Sequence, residues 1–137
     1  MSKIKLDPYL FFKGNCKEAM EFYKGVFGGK LEISLVDDAP DFPGKDKMLG
    51  QVMHALLDTG DFRLMASDSG KASPKAAKVE LSLSGDDDAR LRQYFEKLSD
   101  GGKVTMPLEK QFWGDIFGQL SDKYGVEWMV NITTQKA

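Results

Sequence analysis

At 137 residues and 15.3 kDa, with 42% hydrophobic, 29% charged and 11% aromatic residues, the chain has the composition of one folded domain, which excludes disordered and fibrous classes. A chain of this size buries roughly two-thirds of the surface it exposes when unfolded, enough for one core but not for two full-sized domains. Nineteen Lys and Arg against 21 Asp and Glu leave a net charge of -2 with both signs scattered, so there is no basic footprint for nucleic acid.

The opening Met1-Ser2-Lys3-Ile4-Lys5-Leu6-Asp7-Pro8 lacks the apolar segment of a signal peptide, and no apolar run approaches the ~18 residues that span a bilayer; the expectation is a cytoplasmic protein without a membrane partner. Tyr9-Leu10-Phe11-Phe12 reads as a short strand. Asn15 stands at an N-cap with Glu18 completing a capping box, and Cys16, Met20, Tyr23 and Phe27 follow at helical spacing, which predicts a helix over 16–27. Gly28 ends it, and Leu31 to Val36 alternates like a strand with one buried face. A polar loop from Asp37 to Lys47 comes next, of a length that usually covers a site or is disordered. Strands are predicted over Gln51 to Leu57 and Phe62 to Ser67, joined by the turn Asp58-Thr59-Gly60-Asp61.

Residues about 69–78 have linker composition. Beyond them Val79 to Leu83 reads as a strand, Asp86-Asp87-Asp88 favours a helix N-terminus, and Leu91, Tyr94, Phe95 and Leu98 form an apolar stripe closed by Gly101-Gly102. Further strands are predicted over Lys103 to Met106, Phe112 to Ser121 and Trp128 to Thr133, with Asp122-Lys123-Tyr124-Gly125 turning between the last two. The pair Phe22-Tyr23 with Gly28-Gly29 returns about half a chain later as Tyr94-Phe95 with Gly101-Gly102. Each half therefore reads as strand, helix, strand, strand, strand.

The predicted fold is α+β: two βαβββ modules, about 1–68 and about 79–137, in a single domain. Neither module buries a sheet face and a helix alone, so side-by-side packing is expected, with helices on the outer face and the opposite face of a curved sheet forming a cup for a ligand.

One cysteine, Cys16, and one histidine, His54, allow no intrachain disulfide and no Cys/His zinc cluster. His54 shares strand parity with Val52 and Leu56 and can face either core or cup, as a general base or ligand partner, or as a partly buried histidine satisfied by a neighbour. Glu80 projects to the face away from Val79 and Leu81, as a cup carboxylate or a solvated edge charge. Cys16 lies on an apolar helix stripe, where cysteine behaves as a small hydrophobe. The Asp86-Asp87-Asp88 run lacks the spaced oxygens and glycine of a calcium loop and reads as helix capping. None of the fourteen glycines forms a G-x-G pair, which argues against nucleotide-type cofactors, and no Ser/His/Asp constellation is legible.

The paired module order, with Asn15-Cys16-Lys17-Glu18-Ala19-Met20-Glu21-Phe22-Tyr23 and Gly28-Gly29, resembles the vicinal oxygen chelate superfamily of glyoxalases, extradiol dioxygenases and bleomycin or fosfomycin resistance proteins. Phe12-Lys13-Gly14-Asn15-Cys16, Val52-Met53-His54-Ala55, Leu64-Met65-Ala66-Ser67-Asp68, Phe112-Trp113-Gly114 and Asp122 to Met129 resemble its PhnB-like branch. That branch has often carried a methyltransferase label tied to demethylubiquinone, which no residue pattern here supports. The resemblance implies a homodimer, and metal ligands at four cup-facing strand positions that fall near Pro8 or Tyr9, at Met65, at Glu80 and at Met129. Only Glu80 among these suits a hard cation, so the expectation is no metal and no cofactor.

The expected function is metal-independent binding of a small apolar or aromatic molecule in a cup whose candidate residues are Tyr9, Phe11, His54, Met65, Glu80, Trp113 and Met129. The alternative is an enzyme of lyase or dioxygenase type, using a divalent metal or His54 and Glu80 as an acid-base pair on a small carbonyl compound.

Overall fold

A computed structural model describes residues 6–40, 44–68 and 80–134. The expected linker, residues about 69–78, lies outside them, as do Val79 and part of the polar loop. The chain divides into two compact units at residues 75 and 76.

The first unit runs β1 (Tyr9–Phe12), α1 (Cys16–Phe27), β2 (Lys30–Leu35), β3 (Val52–Asp58) and β4 (Arg63–Asp68). Its four strands form a mixed sheet in the order β1-β4-β3-β2, with β1 parallel to β4 and the other pairs antiparallel. The second unit repeats this with β5 (Leu81–Gly85), α2 (Asp88–Ser99), β6 (Lys103–Lys110), β7 (Ile116–Ser121) and β8 (Glu127–Ile132), in the order β5-β8-β7-β6 and with β5 parallel to β8. The two βαβββ modules read from the sequence are thus present, each with its own four-stranded sheet.

Each helix packs on one face of its own sheet because its apolar stripe has no other place out of water. Helix α1 buries Cys16, Ala19, Met20, Tyr23, Val26 and Phe27, and the sheet beneath supplies Ala55, Leu57, Leu64 and Ala66. Helix α2 buries Leu91, Tyr94, Phe95 and Leu98 over a sheet core of Leu120, Trp128, Val130 and Ile132. A large apolar side chain buried in this way contributes roughly 1.5–3 kcal/mol.

The repeated glycine pairs have a common physical cause. Gly28 and Gly101, each at φ +75°, leave their helices through the left-handed region that other residues avoid. The following glycine permits close approach to the end of the third strand: a Cβ on Gly29 would lie 2.3 Å from the Asp58 carbonyl oxygen, and one on Gly102 2.3 Å from that of Ser121.

The capping box does not form. The Asn15 side chain accepts from the Lys13 N–H at 3.3 Å, and the start of α1 is held instead by Asp68, whose Oδ1 accepts from the N–H groups of Gly14 (2.8 Å) and Cys16 (3.0 Å). Its other oxygen accepts from Val52 N–H at 2.8 Å, so one buried carboxylate ties helix start, β4 end and β3 start together. At α2 the acidic run caps as expected, with Asp87 Oδ1 accepting from Arg90 N–H. Asp122 is the buried organiser of the second unit: it accepts from Tyr124 and Val126 N–H through Oδ1 and from the Trp128 indole N–H, at 2.9 Å, through Oδ2.

Most strand ends fall within a residue or two of expectation, with one exception. β6 continues to Lys110 through Pro107, which lies on an edge strand with register shifts at Val104/Met106 and Met106/Glu109, where a missing N–H costs no ladder bond. Residues 111–115 are then a turn closed by Gln111 N–H to Asp115 and Gly114 N–H to Gln111, so Phe112 and Trp113 stand on a loop and not on the predicted strand.

Candidate functional site

Each sheet has a face turned away from its helix, and register fixes which side chains share it, because paired residues on neighbouring strands project to the same side. On the first unit one row crosses all four strands: Tyr9, Met65, Leu56 and Glu32. A neighbouring stretch pairs Phe11 with Ser67 and Ser34 with His54.

His54 takes this open face. Across a shift in register Ser34 pairs with His54 but Leu35 with Val52, so one step along β2 answers to two along β3. Parity counted from Val52 therefore does not carry to His54, while parity from Leu56 does. The Tyr9 hydroxyl lies 3.3 Å from His54 Nδ1, with ring centroids 5.9 Å apart. Since β4 intervenes between β1 and β3, and strands lie about 4.8 Å apart, the phenol must reach across β4 to meet the imidazole. Phe11, 68% exposed, packs at 5.0 Å from the Tyr9 ring. Arg63, two residues before Met65, pairs with Asp7 at 3.4 Å, and its Nε–H is buried with no hydrogen-bond partner among the described residues.

On the second unit the equivalent row is Ser82, Met129, Gln119 and Met106. By the two parallel registers, Tyr9 and Met65 correspond to Ser82 and Met129. The structure places Ser82, not Glu80, opposite Met129; Glu80 precedes β5, and its carboxylate accepts from the Gln119 side-chain N–H at 3.0 Å. The loop before α2 is shorter than that before α1, which displaces a count taken outward from the helices. Beside this row Phe117 pairs with Asn131, Asn131 donates to Asp115 at 3.0 Å, and Trp113 packs edge-on to Phe117 at 5.8 Å. Trp113 is 48% exposed, and Phe112 stands at 5.0 Å from it.

Tyr9, Phe11, His54 and Met65 are thus gathered on the open face of the first unit, and Met129, Glu80 and Trp113 belong to the second. Sequence reasoning missed Ser82 and Gln119; the signal for both was the Met129 register, legible only once β8 had been aligned with its neighbours.

At the register positions that the resemblance marks for metal ligands, the first unit offers a phenol and a thioether, Tyr9 and Met65, and the second a hydroxyl and a thioether, Ser82 and Met129. Hard divalent cations are held by several carboxylate or imidazole groups, and thioethers serve soft ions, so these residues do not fit magnesium, zinc or nickel. Among the described residues no three of His, Cys, Asp and Glu form a group that could hold a metal ion. Cys16 offers no nucleophile: it is fully buried, and burial first, with the Asp68 charge second, pushes its thiol up to about 12.

A family model for the Glyoxalase/Bleomycin resistance protein/Dioxygenase superfamily matches residues 5–130. Protein YjdN of Escherichia coli strain K12 is 31% identical over 144 residues, covering 96% of this chain and 97% of that protein. Protein PA1353 from Pseudomonas aeruginosa superposes with a TM-score of 0.80 at 39% identity, covering 95% of this chain and 98% of that one. The PhnB protein from Bacillus cereus superposes with a TM-score of 0.75 at 29% identity, covering 95% of this chain and all (100%) of that one.

Proposed function

Because the chain belongs to the glyoxalase/bleomycin resistance protein/dioxygenase superfamily, in its PhnB-like branch, we propose that it binds a small apolar or aromatic molecule without a resident metal. The observation that carries this reading is the chemistry of the register-equivalent positions, Tyr9 with Met65 and Ser82 with Met129. Thioethers are polarisable and rotate freely, so they fit many apolar surfaces, and the rings of Tyr9, Phe11 and Trp113 add flat area at small entropic cost. His54 and Glu80 serve to orient a polar group of the ligand, each on its own unit.

The competing acid-base reading finds less support. The Glu80 carboxylate meets Gln119 and His54 Nδ1 meets Tyr9, each within its own unit, and among the described residues the two are not paired with each other. The proposal extends to a cytoplasmic homodimer; among the described residues no helix is long and apolar enough to cross a membrane.

Metal analysis of the purified protein followed by calorimetric titration with nickel, zinc and manganese tests the metal-free part. Weak or absent binding is expected, and stoichiometric tight binding of any of the three overturns it.

A further inference from the structure

Resting on the ligand-binding reading above, we infer that the open face of the first unit selects a neutral planar compound bearing a carbonyl oxygen, held by a hydrogen bond that His54 donates through Nε2–H. Among the described residues His54 makes one polar contact, between its Nδ1 and the Tyr9 hydroxyl at 3.3 Å. A phenol is a better donor than acceptor, because its oxygen lone pair is drawn into the ring, whereas the in-plane lone pair of a neutral imidazole is a strong acceptor. Tyr9 therefore donates, Nδ1 carries the lone pair, and the ring proton sits on Nε2. Nε2 has no partner among the described residues. A neutral imidazole in this tautomer presents a single donor, so the group it recognises is an acceptor.

The surroundings set the rest of the ligand. The Tyr9 ring crosses β4 beside Phe11, tilted 36° to it, and shares its row with Met65 and Leu56, giving an apolar platform of two rings, a thioether and an aliphatic chain. Such a platform suits a planar body. Charge on the same face is already paired: Arg63 with Asp7, and Lys30 with Glu32 at 3.9 Å, while Asp58 stands opposite Arg63 in register. Among the described residues a carboxylate arriving there gains no uncommitted cation and meets an excess of acid, whereas an aryl ketone or aldehyde meets the Nε2–H donor, the Arg63 Nε–H being buried.

The test uses the full-length protein labelled with 15N. His54 is the single histidine, so its ring signals need no assignment. The expected pattern is the Nε2–H tautomer; a protonated Nδ1 in the neutral ring overturns the inference. Titration follows with 2-acetylnaphthalene, its near-isostere 2-ethylnaphthalene, which lacks the acceptor, and 2-naphthoate. The ketone is expected to bind about tenfold more tightly than the hydrocarbon, the usual worth of one well-placed hydrogen bond, and more tightly than the acid. His54→Phe should abolish that advantage, His54→Gln, which keeps a donor, should retain part of it, and Tyr9→Phe should mix the tautomers and reduce it. Equal binding of ketone and hydrocarbon, an advantage that survives His54→Phe, or tightest binding of the acid overturns the inference while leaving aromatic binding intact. Failure of all three compounds to bind overturns the ligand-binding reading itself.

Discussion

Replacing Asp68 should unhinge the first module, and the two obvious variants should do so unequally. The carboxylate divides its work: Oδ1 accepts from Gly14 and Cys16, Oδ2 from Val52. Asp68→Asn keeps an oxygen for the first pair but turns an amide N–H toward Val52 N–H, so one bond is lost and two donors face each other. Asp68→Ala removes the acceptor for all three. An orphaned buried donor costs about 1–3 kcal/mol, and Gly14, only part-buried, recovers some of this from water. The expected losses are about 2 kcal/mol for Asn and about 4 kcal/mol for Ala, large against a total stability on the order of 5–15 kcal/mol. With a urea m-value of about 2 kcal/mol/M, these are midpoint shifts of about 1 M and 2 M in unfolding followed by far-UV circular dichroism. Loss of the charge also removes the second cause of the raised Cys16 thiol, so the Asp68→Asn thiol should react faster with a disulfide reagent than the native one. Equal destabilisation by the two variants, or a shift under 0.3 M for either, would refute the division of labour between the two oxygens.

Gly102→Ala should destabilise by about 1–3 kcal/mol, since its Cβ would stand 2.3 Å from the Ser121 carbonyl oxygen on a backbone that needs no positive φ; Gly29→Ala, at φ +98°, adds strain to the same clash and should cost more in the same urea assay. The native Cys16 thiol should stay unreactive at pH 8, and because its folded pKa of about 12 lies above the unfolded 9.0, its contribution to stability is complete below pH 9 and is lost as pH rises toward 12, so the urea midpoint should fall across that window and less so in Cys16→Ala. Light scattering at micromolar concentration should give twice the 15.3 kDa chain mass; a value near 15.3 kDa removes the dimer from the proposal.

The helices were legible because their signals are local. The stripe of Cys16, Met20, Tyr23 and Phe27 and the pair Gly28-Gly29 act on neighbours within a few residues, and the same holds for Leu91 to Gly102. What the sequence concealed depends on contacts between distant segments. Asn15 has the right chemistry for a cap, yet Asp68, more than fifty residues away, reaches the same N–H groups from the end of β4, and a full carboxylate outcompetes an amide oxygen there. The side taken by His54 hinged on a slip between β2 and β3 that leaves no mark in composition. Trp113 moved from strand to turn because an edge strand tolerates Pro107, extending β6 and pushing the reversal four residues later than the hydrophobic pattern suggested.

The two modules also show where a repeated scaffold is free to diverge. Helix exits through Gly28 and Gly101, close passages at Gly29 and Gly102, and buried carboxylates at Asp68 and Asp122 hold the backbone of their units. The open-face rows carry no such burden: the same parallel register holds Tyr9 with Met65 in one unit and Ser82 with Met129 in the other. Only the thioether is common to both rows, and it is the one ligand in them that a hard cation declines. The repeat thus keeps its glycine exits and close passages and a methionine at both equivalent positions, while the start of α1 is held by Asp68 and that of α2 by Asp87.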